Sequence, residues 1–192
     1  MRGACGQARH TASVKVTRAQ IVEGAYEALG ERGLGGLFMR GLAQDLGVQP
    51  GALYYHVASK QELLAAVAAR ILDEIPAPAT DPRHAAEALR TALLRVRDGA
   101  EVMSFVQAFR PDVVVPAHEL RRLFAETLAP HEAEWAARTV IHYVLGFVAE
   151  EQNHAELVRA KILEDEPSRA LESTEAFMFG IDAILGGLEP AH

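Results

Sequence analysis

From Thr17 to Leu188 the apolar residues of this chain recur every third or fourth position, and that period restricts it to a stack of helices. Ile21, Ala25 and Leu29 repeat at intervals of four behind Thr17-x-x-Gln20, the pattern of a capping box, and Gly33 supplies a stop. Asp45-Leu46-Gly47-Val48 closes a short second helix, with Gly47 suited to a left-handed turn. A third helix is expected from about Pro50 to Val57, because proline at the first helical position forfeits an N–H that has no partner there. Ser59 and Glu62 form another capping box, opening a helix with a core stripe of Leu64, Val67, Ala68, Ile71 and Ile75 that ends at Pro76-Ala77-Pro78. Asp81-Pro82 restarts a helix with Leu89, Leu93 and Val96 on one face, broken at Gly99. Phe105 to Phe109 reads as a short apolar segment before an irregular connection containing Pro111 and Pro116. Further helices are expected over about 117–128, 131–157 and 173–188, with a charged loop over 164–169. The β-branched run Val113-Val114-Val115 stops at a proline and has no partner strand, so the expected class is all-α.

Composition narrows the function. With 49% hydrophobic and 23% charged residues in 192, the chain can bury a core and is not disordered throughout. Cys5 is its one cysteine, which rules out a disulfide within the chain and suits a reducing, cytoplasmic location. The uncharged stretch from Thr139 to Ala149 is too short to span a bilayer, so no membrane partner is expected. Charge is uneven. Residues 1–60 carry 7 Lys+Arg against 4 Asp+Glu, and the remainder carries 12 against 22. A basic head on an acidic body suits a head that meets a polyanion.

Residues 39–57 concentrate that signal. Leu42, Ala43 and Leu46 give one short helix a buried face, Gly47 makes a sharp turn, and Val48 and Leu53 anchor a second short helix across the first. This is helix-turn-helix logic, in which the second helix is presented outward. Its outward face would carry Gln49, Gly51, Ala52, Tyr54, Tyr55 and His56, with Lys60 at the start of the next helix. Tyr54 as a half-core residue and His56 as a packing histidine are the plainer readings of those two positions.

The run Leu42-Ala43-Gln44-Asp45-Leu46-Gly47-Val48, followed by Gly51-Ala52-Leu53-Tyr54-Tyr55-His56-Val57, Lys60 and Leu63-Leu64, resembles the N-terminal signature of the tetracycline-repressor (TetR) family of transcriptional regulators. A weaker likeness to the tetracycline repressor's own subgroup rests on Arg97-Asp98-Gly99-Ala100, on Leu145-Gly146 with Glu150-x-Gln152-x-His154, and on Phe179-Gly180. The resemblance implies an arm over residues 1–16, a DNA-binding domain over 17–60, a connecting helix over 61–75 and a ligand-binding and dimerisation domain over 76–192. It implies that Arg40, Tyr54, Tyr55, His56 and Lys60 hold phosphates while Gln49, Pro50, Gly51 and Ala52 face base edges of a double-stranded operator. Two residues depart from the pattern. Phe38 stands where the family has a Thr or Ser cap, and Pro50-Gly51 replaces longer side chains.

One helix-turn-helix reads too few base pairs to be selective, so a homodimer is expected. Phe177, Ile181, Ile184 and Leu188 repeat at 4, 3 and 4, which reads as a dimer seam, with burial against the chain's own helices as the alternative. Leu89, Leu93, Met103, Phe105, Phe109, Trp135, His142 and Phe147, with Glu150, are candidate lining for an apolar effector pocket, against the alternative of a filled core. In the tetracycline repressor a histidine three residues after the Arg-Asp-Gly-Ala segment binds the metal of the drug chelate. Here that position is Met103, a poor ligand for a hard cation, and Pro76, Ala85 and Leu89 replace other drug contacts. The expectation is therefore a repressor released by a small hydrophobic effector, with no metal and no cofactor.

Two other classes remain in view. Glu151-x-x-His154 has the spacing of a di-iron bundle ligand pair, but a second copy is missing. His118-Glu119 begins like a zinc-protease helix, yet Arg122 stands where the second histidine belongs. A protein of this fold acting through protein–protein contacts alone is the better alternative to the regulator reading.

Overall fold

The computed structural model describes residues 16–75, 78–110, 115–166 and 169–188. Among them lie nine helices: α1 (Arg18–Gly36), α2 (Met39–Asp45), α3 (Pro50–His56), α4 (Lys60–Leu72), α5 (Pro82–Leu94), α6 (Gly99–Phe109), α7 (Val115–Phe124), α8 (Pro130–Arg159) and α9 (Arg169–Gly187). The arm over 1–15, Pro76, and the 111–114 part of the irregular connection lie outside the described residues. Among those described, no helix is long and apolar enough to cross a membrane.

Local chemistry explains the boundaries. Thr17 accepts from the Gln20 N–H and Gln20 answers to the Thr17 N–H, completing the first capping box. Ser59 accepts from the Glu62 N–H at 3.2 Å, while the Glu62 carboxylate reaches Arg110 at 3.1 Å. Asp81 accepts from the His84 N–H at 2.8 Å, with Pro82 in the first turn. Each such cap stabilises its helix by about 1 kcal/mol.

Several expectations need correction. Gly33 (φ 71, ψ 179) breaks α1, but one further turn follows to Gly36. Gly99 does not break α5. The break is the turn Arg95–Asp98, where Asp98 is left-handed (φ 56), and Gly99 begins α6. Phe105 to Phe109 is the second half of that helix and no separate segment. Ile75 lies past the end of α4 and is half-buried. Helix α7 starts two residues before and ends four residues before the expected 117–128, and α8 extends the expected 131–157 by one residue at its start and two at its end. Helix α9 starts four residues early, where its first turn includes Arg169 and Glu172 and gives little apolar signal.

The helices form two packed groups. In the first, α1 lies on α4 and α2, and α2 on α3. Ile21, Leu29, Leu42, Leu53, Val67 and Ile71 fill its core at 0–1% exposure. In the second, α8 is the axis against which α5, α6, α7 and α9 pack. Its inner stripe runs Ala133, Ala136, Ala137, Val140, Ile141, Val144, Leu145 and Val148, the spacing of one helix face. Helix α4 joins the groups by packing on α5 and α6.

Candidate functional site

The α2–α3 corner is set by backbone chemistry. Gly47 adopts φ 66, its N–H donates to the Gln44 carbonyl at 3.1 Å, and the Val48 N–H donates to Ala43 at 2.9 Å. Those two bonds are a Schellman close, which requires a left-handed residue. Pro50 then opens α3 behind Gln49, whose side chain makes no capping bond. Leu53 (0% exposed) and Val57 (2%) sink toward Leu42 and Ala43, and this fixes which face of α3 points out.

The outward face carries Gln49, Gly51, Tyr54 and Tyr55 as exposed residues, with Pro50, Ala52 and His56 half-buried. Tyr55 is 86% exposed and Tyr54 is 50% exposed. The Tyr55 ring meets His56 edge-on, with centroids 5.1 Å apart. Arg40 is exposed on α2, and half-buried Lys60 begins α4, four residues after the end of α3. Phe38, at the N-cap of α2, forms no side-chain cap bond and is 57% exposed. Its ring lies over Gly41, where an added Cβ would come 2.7 Å from it. Arg32 of α1 pairs with Asp45 of α2 at 2.5 Å. That bond holds the Asp45 carboxyl below its ordinary range and partly neutralises an anion near the presented face.

The effector-pocket candidates divide. Leu89, Leu93 and Met103 are fully buried in one core. Phe109 and Phe147 are partly buried against that core, and Phe105, 42% exposed, has its ring 5.3 Å from Phe109. Trp135 (62% exposed), His142 and Glu150 do not join them. They occupy the outer stripe of α8, opposite the residues that pack, so a pocket made by one chain's core does not reach them. Among the described residues, surface clefts lie elsewhere, including ones of about 380 Å3 between α1 and α4, about 440 Å3 between the end of α8 and the start of α9, and about 520 Å3 at the α7–α8 corner.

The dimer-seam candidates also need revision. Phe177 is 1% exposed and Ile181 0% exposed within a single chain, so neither has surface to offer a partner. The Phe177 ring sits against Tyr143 (5.6 Å) and Phe147 (5.3 Å), under the Arg90 guanidinium at 5.0 Å. Ile184 and Leu188 are partly buried against the same core. The 4-3-4 stripe is therefore the inner seam of α9. Its exposed side shows Phe179 (77%), Gly186 and Gly187, and periodicity alone did not single out Phe179. The seating of α9 is specific. The Tyr143 hydroxyl donates to the Phe177 carbonyl at 3.1 Å, and a Cβ at Gly180 would overlap it. Arg90 pairs with Glu151, which also accepts from Ser173 at 2.6 Å.

Among the described residues, no group of three or more His, Cys, Asp or Glu is placed to hold a metal ion. Met103, where the drug repressor's metal-binding histidine would stand, is fully buried among apolar side chains. A thioether is a poor ligand for a hard cation.

Residues 21–67 match the profile of bacterial regulatory proteins of the tetR family, and residues 79–165 match that of the tetracyclin repressor-like C-terminal domain. The class G tetracycline repressor protein of Vibrio anguillarum is 34% identical over 198 residues, covering 91% of this chain and 94% of that protein. The crystal structure of BioQ with its natural double-stranded DNA operator superposes with a TM-score of 0.75 at 33% identity, over 92% of this chain and 99% of that one. A TetR variant from Acinetobacter baumannii AYE in complex with minocycline gives 0.73 at 33% identity, over 90% and 96%. The chain belongs to the TetR family of bacterial regulatory proteins, and it is a DNA-binding transcriptional regulator, not an enzyme.

Proposed function

We propose that this protein is a cytoplasmic repressor that binds a palindromic operator as a homodimer and leaves it when a small, largely apolar effector binds. The observation that carries the reading is the placement of α3: one face fixed by buried Leu53, the other showing Tyr54 and Tyr55 to solvent. In this reading Arg40, Tyr54, Tyr55, His56 and Lys60 hold phosphates and set orientation, and the Gln49–Ala52 stretch lies along base edges. Gln49 is the one long polar side chain in that stretch, so sequence is read mainly through thymine methyl contacts and duplex shape. In this reading residues 17–60 read DNA, 61–75 connect, and 76–192 bind effector and partner.

The dimer forms on the outer faces of α8 and α9, anchored by Trp135 and Phe179, with Gly186 and Gly187 permitting close approach. The effector lodges between α5, α6 and α8, where Leu89, Leu93 and Met103 make the surroundings apolar. Relatives carry tetracycline-repressor names, but buried Met103 supports an effector without a hard cation. Effector and operator then favour different placements of the paired reading heads, so each weakens the other's binding.

Genomic fragments retained by the purified protein test this reading. Enrichment of one palindromic site is expected, with affinity falling steeply as salt rises, as phosphate neutralisation requires. Tyr54→Ala is expected to weaken that binding without altering dimer mass. No enrichment over bulk DNA would overturn the proposal.

A further inference from the structure

Two elements, α8 and α1, converge on the turn between α5 and α6, far along the chain from the α3 face. From α8, Gln152 donates to the carbonyls of Leu93 (3.0 Å) and Val96 (2.8 Å) and accepts the Ala100 N–H at 3.1 Å. One amide thus ties together the end of α5, the turn and the start of α6. Gly99 must lack a side chain there, because a Cβ would lie 2.6 Å from the Leu93 carbonyl oxygen. From the reading head, the Leu34 N–H donates to Asp98 Oδ2 at 2.7 Å across 64 residues. Arg97 donates to the Glu31 carbonyl at 3.2 Å and pairs with Glu156 of α8 at 2.5 Å.

Both partners of the Asp98–Leu34 contact are shaped for it. Asp98 holds a left-handed conformation (φ 56), which carboxylate and amide residues tolerate better than other side chains. Gly33 holds φ 71, and a Cβ on it would stand 2.6 Å from Asp98 Oδ2. The bare glycine lets the carboxylate reach the amide exposed where α1 breaks. A backbone N–H to a carboxylate is a charge-assisted bond, stronger than a neutral pair. Beyond it, Arg32 of the same segment holds Asp45 of α2, which packs directly on α3.

We propose that Asp98 is a positioning residue for operator binding: on the Leu34 N–H, its carboxylate sets the angle at which the reading head leaves the α8-centred body. It touches no DNA and acts through α1. Two heads on one duplex face must stand about 34–36 Å apart, and a change of angle at α1 is amplified at the tip of α3. This inference rests on the dimeric reading above.

The test is the head-to-head distance in the full-length homodimer. A spin label is placed at exposed Ala58 (Ala58→Cys, with Cys5→Ser), and dipolar spectroscopy reads the distance distribution. Asp98→Ala is expected to shift and broaden that distribution and to weaken binding to the selected operator. Asp98→Asn, which keeps an acceptor oxygen, is expected to restore both. Leu34→Pro deletes the N–H donor together with the leucine side chain, at a position following Gly33, whose ψ of 179 suits a residue before proline, and should reproduce the broadening. Leu34→Ala, which keeps the donor, should not. If Asp98→Ala does not fold, the Leu34 pair decides. An unchanged distribution in folded Asp98→Ala or Leu34→Pro overturns the assignment. Absence of any dipolar signal in the unmutated background removes the dimer itself, a separately recognisable failure that overturns the assignment with it.

Discussion

Ile181 and Phe179 stand two positions apart on α9 and face opposite ways, one fully buried in the protomer and the other 77% exposed. Aspartate at each position should therefore fail differently. Ile181→Asp places an unpaired charge in the core and is expected to lose about 3 kcal/mol or more of stability. The thermal transition should fall sharply while the remaining folded fraction keeps its dimer mass. Phe179→Asp is expected to leave the transition of the protomer nearly intact and to shift light scattering to monomer mass. The opposite pattern would put the seam back on Phe177 and Ile181. This division was not legible in the sequence. A 4-3-4 stripe states that one face of a helix is covered, and it does not state by which molecule. Trp135, His142 and Glu150 illustrate the same ambiguity, since their positions in the sequence fit an outer helix face as well as a pocket wall.

Elements were more legible where their ends carry side-chain chemistry. Thr17, Ser59 and Asp81 each cap the helix they were expected to start, and Gly47 turns as its neighbours demand. Ser59→Ala should cost about 1 kcal/mol in urea unfolding, with no change in the slope against denaturant. A loss well below that would mean that packing alone fixes the start of α4. Ends without such chemistry were misplaced. The turn between α5 and α6 is held by Gln152 from 52 residues away and by Leu34 from 64 residues away, so no local pattern could announce it. Helix-turn-helix geometry was readable for the opposite reason: its glycine, its leucines and its presented face all lie within 19 consecutive residues.

For the whole molecule, hydrogen-bonded and ion-paired carboxyls give stability a direction in pH. The carboxyls of Asp45, Glu74 and Asp81 are lowered by hydrogen bonds from Arg32, from Arg70 and from the His84 N–H respectively. Burial pushes Glu156 up, but bonds from Arg159 and Arg97 outweigh it and the net shift is downward. A carboxyl lowered on folding adds stability that is fully present above its unfolded value and is lost as pH falls through the folded one. Urea midpoints should therefore hold steady from pH 7 to about 5 and decline below about pH 4, where unfolded carboxyls begin to take up protons. High salt should flatten that decline, because the Arg32–Asp45 pair is exposed on both sides. A midpoint that rises on acidification would contradict the pairing.

The Tyr143 hydroxyl that rests in the notch left by Gly180 also governs the opposite side of the hairpin. A helix indexed by one phenol in one gap cannot slide by a turn without ejecting the ring. The height of Phe179 along α8 is thereby dictated from within each protomer, before a second one arrives. In the dimer proposed above, two identical subunits would meet with these anchors already in register, and the spacing of what they carry would become a property of the single chain.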